Sequence, residues 1–182
     1  MGTLLPTEVL EREHRFIEKV VQACQVAAEE IANGGAIDAD RLGRIVEFMR
    51  NYADKCHHGK EELLLFPALI KNGIPMTGCP IGALSAEHVL GRRLVAGLFE
   101  SAALLGTAEL EARKAILENL QGIHRLYPNH IWKEDFLLFP MTLKVMKRPE
   151  LADLEEKFEQ VDRSIGADAL RGYEEFADDL EE

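Results

Sequence analysis

Basic residues are scarce in this chain of 182 residues: 21 lysines and arginines stand against 32 aspartates and glutamates, a net charge of −11. That deficit excludes the basic stripe with which proteins neutralise nucleic-acid phosphates. It also disfavours docking on anionic membrane surfaces. Long apolar runs are missing too. None approaches the roughly 20 residues that span a bilayer, and the opening MGTLLPTEVLEREH lacks the basic start and apolar stretch of a secretory signal. Cysteine is sparse: Cys24, Cys56 and Cys79 form no C-x-x-C pair, and three cannot all be bridged. Reduced thiols in a cytoplasmic protein are the expectation. Strand-like alternation is nearly absent, which argues against a sheet.

What is present is helical periodicity. The hydrophobic share of 47% and charged share of 29% are ordinary for one globular domain. Leu10, His14, Ile17, Val21, Cys24, Ala28 and Ile31 recur at intervals of four and three, the stripe of an inward-facing helix. Thr7, Glu8 and Glu11 suit its start, and Asn33-Gly34-Gly35 its stop. A second helix is expected over about residues 38–70, ended by the loop KNGIPMTGCP. A third carries Leu84, His88, Gly91, Val95, Leu98, Ala102 and Leu105. A fourth carries Ile116, Leu120, Ile123, Tyr127, His130, Glu134, Leu137 and Met141, and stops near Lys147, before Arg148-Pro149. One or two short helices, broken at Gly166, follow over about 149–182, ending in the acidic EEFADDLEE, a solvated face. The expected fold is all-α: an antiparallel four-helix bundle over about 8–147 within one domain of residues 1–182, with the C-terminal helices as an extension.

Two stretches repeat. Residues 56–67 read CHHGKEELLLFP and residues 129–140 read NHIWKEDFLLFP, and an offset of 73 residues carries His57 onto His130, Lys60 onto Lys133 and Glu61 onto Glu134. An internal two-fold relation between helices one and two and helices three and four accounts for it. Each helix also holds a histidine on its apolar stripe or beside it: His14, His57, His88 and His130. Residues four apart differ by only about 40° around a helix, so His57 and Glu61 point one way, as do His130 and Glu134. A single histidine on an apolar face is ordinarily a satisfied core residue. Four of them, one per helix, with the H-x-x-x-E pair recurring in register, are not explained that way. Two carboxylates buried in one core need a compensating cation. Four imidazoles and two carboxylates converging from four helices make a site for two first-row metal ions. Nitrogen and oxygen donors without thiolate suit iron or manganese better than structural zinc.

His58 competes with His57, since His58 and Glu62 also stand four apart. The 73-residue register favours His57, because His58 maps onto Ile131. Val46, Ala53 and Leu64 also lie within about 40° of His57 on a helical wheel, and His58 lies about 100° away. His58 is therefore expected at the surface or behind the ligands, and His124, about 120° off its stripe, likewise. Changing His57 should strip metal and changing His58 should spare it.

In these residues, His14 in LEREH, HHGKEELLLFP, His88 in AEHVLGR and HIWKEDFLLFP, the chain resembles the bacterial hemerythrin-like proteins of the HHE cation-binding family, in the subgroup patterned H…HxxxE…H…HxxxE. The resemblance covers roughly residues 10–147. It implies a four-helix bundle holding two iron ions in a non-haem centre, with or without an oxo bridge, and with Glu61 and Glu134 as bridging or terminal carboxylates. It implies hydrogen peroxide, nitric oxide or dioxygen as the partner. An oxidoreductase consuming peroxide or nitric oxide, a sensor, and an iron-binding protein without turnover all remain open. Two departures bear on this. The family's oxygen carriers have a second histidine four residues after the one on helix three, and Arg92 stands there; with one histidine fewer, reaction with hydrogen peroxide or nitric oxide is expected rather than reversible oxygen carriage, and Arg92 near a metal would attract small anions. Their last motif is HxxxxD, which His130 and Asp135 satisfy beside Glu134. The family's iron–sulfur repair proteins carry an N-terminal cysteine-containing segment, and this chain is expected to start too close to its first helix to have one. Gly91 is expected to leave room for a small ligand or to permit close helix packing, Tyr127 to be a core tyrosine or to reach the metals, and Cys56 to be a core cysteine.

Overall fold

The computed structural model describes residues 4–180. The last two glutamates of the acidic C-terminal stretch lie outside the described residues. Helix α1 (Pro6–Ala32) begins with a proline in its first turn, where a missing N–H costs nothing. The Glu8 carboxylate accepts the Leu5 backbone N–H at 2.6 Å. The helix stops at Asn33, before Gly34 turns the chain at φ 83°. The second rod starts as α2 (Ala39–Phe48), capped by the Asp38 side chain, which accepts the Arg41 backbone N–H at 2.9 Å. It widens into a π-helical segment π1 (Met49–His58), again into π2 (Glu61–Leu65), and ends as α3 (Phe66–Lys71). Helix α4 (Ile81–Ala102) is the third rod. The fourth comprises α5 (Glu109–Lys133), a π-turn π3 (Glu134–Leu138) and α6 (Phe139–Val145). Beyond it, α7 (Arg148–Ile165) and α8 (Ala167–Asp179) break at Gly166, whose φ of 99° favours glycine.

The four rods form the expected bundle, with α5 packed between α1 and α4, and the second rod against both α1 and α4. Helix α7 lies on α1 and both π segments of the second rod, and α8 lies along α1. Among the described residues no strand occurs, and no helix is long and apolar enough to cross a membrane. The apolar stripes merge into two clusters. One is built on Ile17, Val21, Ile45, Met49, Leu98, Leu120 and Ile123. The other is built on Leu10, Leu65, Leu69, Leu84, Leu138 and Phe158. On the first three rods His14, His57 and His88 fall between the residues of one cluster and those of the other, and on the fourth His130 comes directly before Ile131, the last residue there of the first cluster.

The π-turns were not foreseen, and the repeated prolines explain two of them. A proline ring clashes with the carbonyl four residues back and offers no N–H. Pro67 and Pro140 sit one residue inside α3 and α6, and the N–H groups just before them, of Phe66 and Phe139, reach back five residues to the carbonyls of Glu61 and Glu134. Each turn thus takes one extra residue, and the apolar stripe slips by one. Leu65 and Leu138 are fully buried where a regular wheel selects Leu64 and Leu137, which are only half-buried. The offset of 73 residues relates π2 to π3 residue for residue, the internal two-fold relation expected from the sequence.

Pro67→Ala combined with Pro140→Ala should let both turns close as ordinary α-helix. The expected result is a higher midpoint of thermal unfolding for the metal-free protein, since an interior proline costs a helix about 3 kcal/mol. Cation uptake should weaken, because Glu61 and Glu134 rotate. Full uptake in the double variant would show that the prolines do not aim these carboxylates.

Candidate metal centre

Between the two apolar clusters lies a buried polar layer. Glu61 and Glu134 are 0% exposed, and His14, His57, His88 and His130 are buried around them. The His14 Nε2 stands 3.1 Å from Glu134 Oε2, and His130 Nε2 stands 3.2 Å from Glu134 Oε1. Across the layer His88 Nε2 lies 3.4 Å from Glu61 Oε2, and His57 Nε2 lies 3.9 Å from the same oxygen. All six residues expected from the sequence are therefore brought together.

His58 is a seventh, and here the expectation fails. It is 2% exposed and neither at the surface nor behind the other imidazoles. Its ring stacks on His88 at 3.8 Å between centroids, and its donor atom lies within 4.8 Å of those of His88 and His130. The π-helical segment that ends at His58 is the reason. Bonds from residue i to i+5 widen the turn, so His57 and His58 both reach inward where a regular helix would part them by about 100°. His124 stays away from the layer, half-buried beside Gln25 and Ala28.

The outward ring nitrogens are held by a repeated arrangement of carboxylates. Glu13 accepts from His57 Nδ1 at 2.9 Å and is ion-paired with Lys60; Glu87 accepts from His130 Nδ1 at 3.0 Å and is ion-paired with Lys133. Asp135 accepts from His14 Nδ1 at 2.7 Å, and Glu62, its counterpart at the 73-residue offset, accepts from His88 Nδ1 at 2.7 Å. With Nδ1 engaged outward, each Nε2 is free to face the centre, the usual way a ligating histidine is oriented. Glu134 thus faces inward, and Asp135 orients His14. Of these carboxylates the sequence singled out Asp135, and Glu62 only as the partner of His58; Glu13 and Glu87 were not named. A trace was there: the dipeptide Glu13-His14 recurs as Glu87-His88, and Lys60-Glu61 recurs as Lys133-Glu134.

Arg92 does not offer a free cation to small anions. Its Nε donates to Asp54 Oδ1 at 2.8 Å and its guanidinium to Glu62 Oε2 at 2.8 Å. The same Asp54 oxygen accepts from His58 Nδ1 at 3.3 Å, so one guanidinium braces two imidazoles, those of His58 and His88. Lys60 is 0% exposed and is also paired with Asp162 of α7 at 2.6 Å. The Cys56 thiol donates to the same Asp162 oxygen at 3.3 Å; it is a buried core thiol, and Cys24, Cys56 and Cys79 are all free.

The inner face of the layer is unsatisfied. Both Glu61 oxygens, Glu134 Oε1, and the Nε2 atoms of His58, His88 and His130 are buried without a well-aligned hydrogen bond. Buried polar atoms are otherwise almost always paired. Their donors group as His14–His57–Glu134, His58–His88–His130 and Glu61–His88–Glu134, each within 4.8 Å. Nitrogen and carboxylate donors at such spacing fit divalent or trivalent first-row cations.

Electrostatics in the metal-free layer point the same way. Burial alone would lower His14, but Asp135 and Glu134 outweigh it and raise its pKa from 6.5 to about 10. Burial likewise opposes His88, yet Glu134, Glu61 and Glu62 raise it to about 11. His58 goes the other way, lowered to about 3 by burial and by the neighbouring His88 charge. Burial would raise Glu134, but His130, His14 and His88 hold it well below the usual carboxylate range. Protons on His14 and His88 thus provide the positive charge that a cation would supply.

Residues 5–142 match the hemerythrin HHE cation binding domain. Uncharacterized proteins of Mycobacterium tuberculosis and Mycobacterium bovis are each 24% identical to the chain over 152 residues. That alignment covers 84% of this chain, which spans 59% of the length of those relatives. No solved structure shows a significant match.

Because His14 and His88 titrate upward in the fold, their contribution to metal-free stability is complete below about 6.5 and is lost as pH rises through about 10 and 11. Cation loading at pH 7 must displace those protons. Calorimetric loading heats should therefore vary with the ionisation enthalpy of the buffer, with about two protons released per chain. Heats independent of the buffer would contradict protonated imidazoles in the metal-free layer.

Proposed function

The chain belongs to the hemerythrin HHE cation-binding family, and from that premise we propose that it is a non-haem di-iron protein that binds or reacts with a small oxidant: hydrogen peroxide, nitric oxide or dioxygen. The observation that carries the reading is the set of unpaired, buried donor atoms on Glu61, Glu134, His58, His88 and His130, converging from three rods and joined by His14 from the fourth. His14, His57 and Glu134 would hold one ion, and His58, His88 and His130 the other, with Glu61 between them. Bound there, iron supplies the one-electron and ligand-binding chemistry that no side chain of this centre can provide.

The chain's own groups do the rest. Glu13, Glu87, Glu62, Asp135 and Asp54 keep each Nδ1 as a donor and so fix which ring nitrogen faces inward. Phe139 stacks on His14 at 5.6 Å and Phe66 on His88 at 5.9 Å, closing one end of the layer against water. A dry surround strengthens every electrostatic contact within it.

A binding role without turnover, as a sensor or an iron-binding protein, is favoured by His58. The deficit expected from Arg92 in place of a carrier's histidine is made up by this fifth imidazole, supplied from the second rod. Fewer exchangeable positions then favour a stable adduct over catalysis. Loaded protein, reduced and exposed to air through repeated deoxygenation, distinguishes the two in its visible spectrum. Irreversible oxidation followed by catalytic peroxide consumption supports the reactive reading. A reversible adduct, or oxidation without turnover, supports the binding one.

Anaerobic loading should give about two ions per chain, and His57→Ala and His58→Ala should each lower that content while His124→Ala leaves it unchanged. Elemental analysis checks this. A content of one ion in the unaltered protein would reduce the centre to a mononuclear site. Unchanged content in His58→Ala would return that residue to a supporting role.

A further inference from the structure

Helix α7 stands outside the family-matched residues 5–142 and covers only one half of a duplicated scaffold. What it meets there is specific. Its Leu154 and Phe158, four residues apart, are buried in the cluster of Leu10 and Leu65. Its Asp162 pairs with Lys60 at 2.6 Å, and its Glu150 and Asp153 share a groove with Lys71. An acidic amphipathic helix thus lies on the second rod, its apolar pair inserted and its carboxylates reaching two lysines.

The offset of 73 residues carries this face onto the fourth rod, with Lys60 onto Lys133, Leu63 onto Phe136 and Lys71 onto Lys144. The rods are spaced alike at this level. Glu13 accepts from His57 at 2.9 Å and Glu87 from His130 at 3.0 Å, and each glutamate is ion-paired with its lysine. Yet no described helix lies over the second face. Among the described residues Lys133 pairs with Glu87 alone, where Lys60 has Glu13 and Asp162, and Lys144 has no ion pair. Beside them Trp132 and Phe136 are 50% and 64% exposed, their rings stacked at 5.8 Å. On α4 the exposed Leu90 stands one turn beyond Glu87. Apolar side chains gathered in this way at the surface mark an interaction site.

We propose that the fourth-rod face around Trp132 and Phe136 docks an acidic amphipathic helix of a partner protein, seated as α7 is seated on the second rod. A large apolar pair four residues apart meets Phe136 and Trp132, and carboxylates on the same helix reach Lys133 and Lys144. The internal two-fold relation supplies the template, and the two lysines supply the charge complementarity. A second copy of this chain is not the occupant, because its α7 would have to leave its own Lys60. Docking closes the Glu87–Lys133 pair to water as α7 closes Glu13–Lys60, and so shelters the second half of the polar layer. The surface does not depend on which cation the layer holds.

Trp132 is the one tryptophan of the chain, so its fluorescence reports on this face alone. The probe is a synthetic peptide with the sequence of residues 148–165, which holds six acidic and three basic residues. Added to the unaltered full chain, it should move the Trp132 emission to shorter wavelength, and the shift should saturate. Affinity is read from the anisotropy of the labelled peptide. Phe136→Ser in the chain should weaken binding about tenfold, and Lys144→Glu about threefold. Both side chains are exposed, so the midpoint of thermal unfolding should stay where it is. A peptide carrying Leu154→Ser and Phe158→Ser should leave the emission unmoved. An emission that does not respond to the unaltered peptide overturns the proposal, as does equal affinity for the Phe136→Ser chain, which would place the peptide elsewhere. If the emission instead moves with protein concentration alone, and light scattering shows a doubled mass, a second copy covers the face and the partner helix is overturned.

Discussion

Everything in this bundle is arranged around one cost: carboxylates and imidazoles are buried between two apolar clusters with most of their inner atoms unpaired. An unpaired buried carboxylate is unfavourable by several kcal/mol, and both Glu61 oxygens are in that position. Such a layer is tolerable only when something positive occupies it. In the metal-free protein that is a pair of protons on His14 and His88, held by neighbouring carboxylates. Bound cations would satisfy the same demand with more donors engaged. The apolar clusters above and below contribute by excluding water, which would otherwise relieve the demand without any metal.

The second organising fact is the internal two-fold relation and the places where it is broken. Prolines at equivalent positions force equivalent π-turns, and these aim Glu61 and Glu134 across the same space. Lysine–glutamate–histidine chains recur on both sides. Symmetry fails at His58, whose counterpart is Ile131, and at α7, which covers one half alone. The first break adds an imidazole to one side and the second seals the other. A duplicated scaffold thereby acquires two unlike faces, a sheltered one and an open one. Arg92 belongs to the same break: it braces His58 through Asp54 and His88 through Glu62.

The sequence by itself determined the helical fold, the four rods, the break at Gly166 and the six histidines and glutamates that meet in the polar layer, because each is written in local periodicity or in a short register. Helix spacing at three and four, glycine after the last periodic residue, and H-x-x-x-E at a fixed offset all act within a few residues. Other features were decided by tertiary structure. Whether His58 faces in or out depends on a π-helical widening that extends over Met49–His58, and no single residue there announces it. The prolines of the LFP endings could have flagged the turns before them; read as ordinary helix, they placed Leu64 and Leu137 one residue off the true stripe. The partners of the outward ring nitrogens come from rods far apart in sequence, Glu13 with His57 and Glu87 with His130, and only packing brings them within 3.0 Å. So too with Arg92: its charge is certain from its chemistry, but whether that charge is free or spent depends on two carboxylates from another rod, and the fold supplies both.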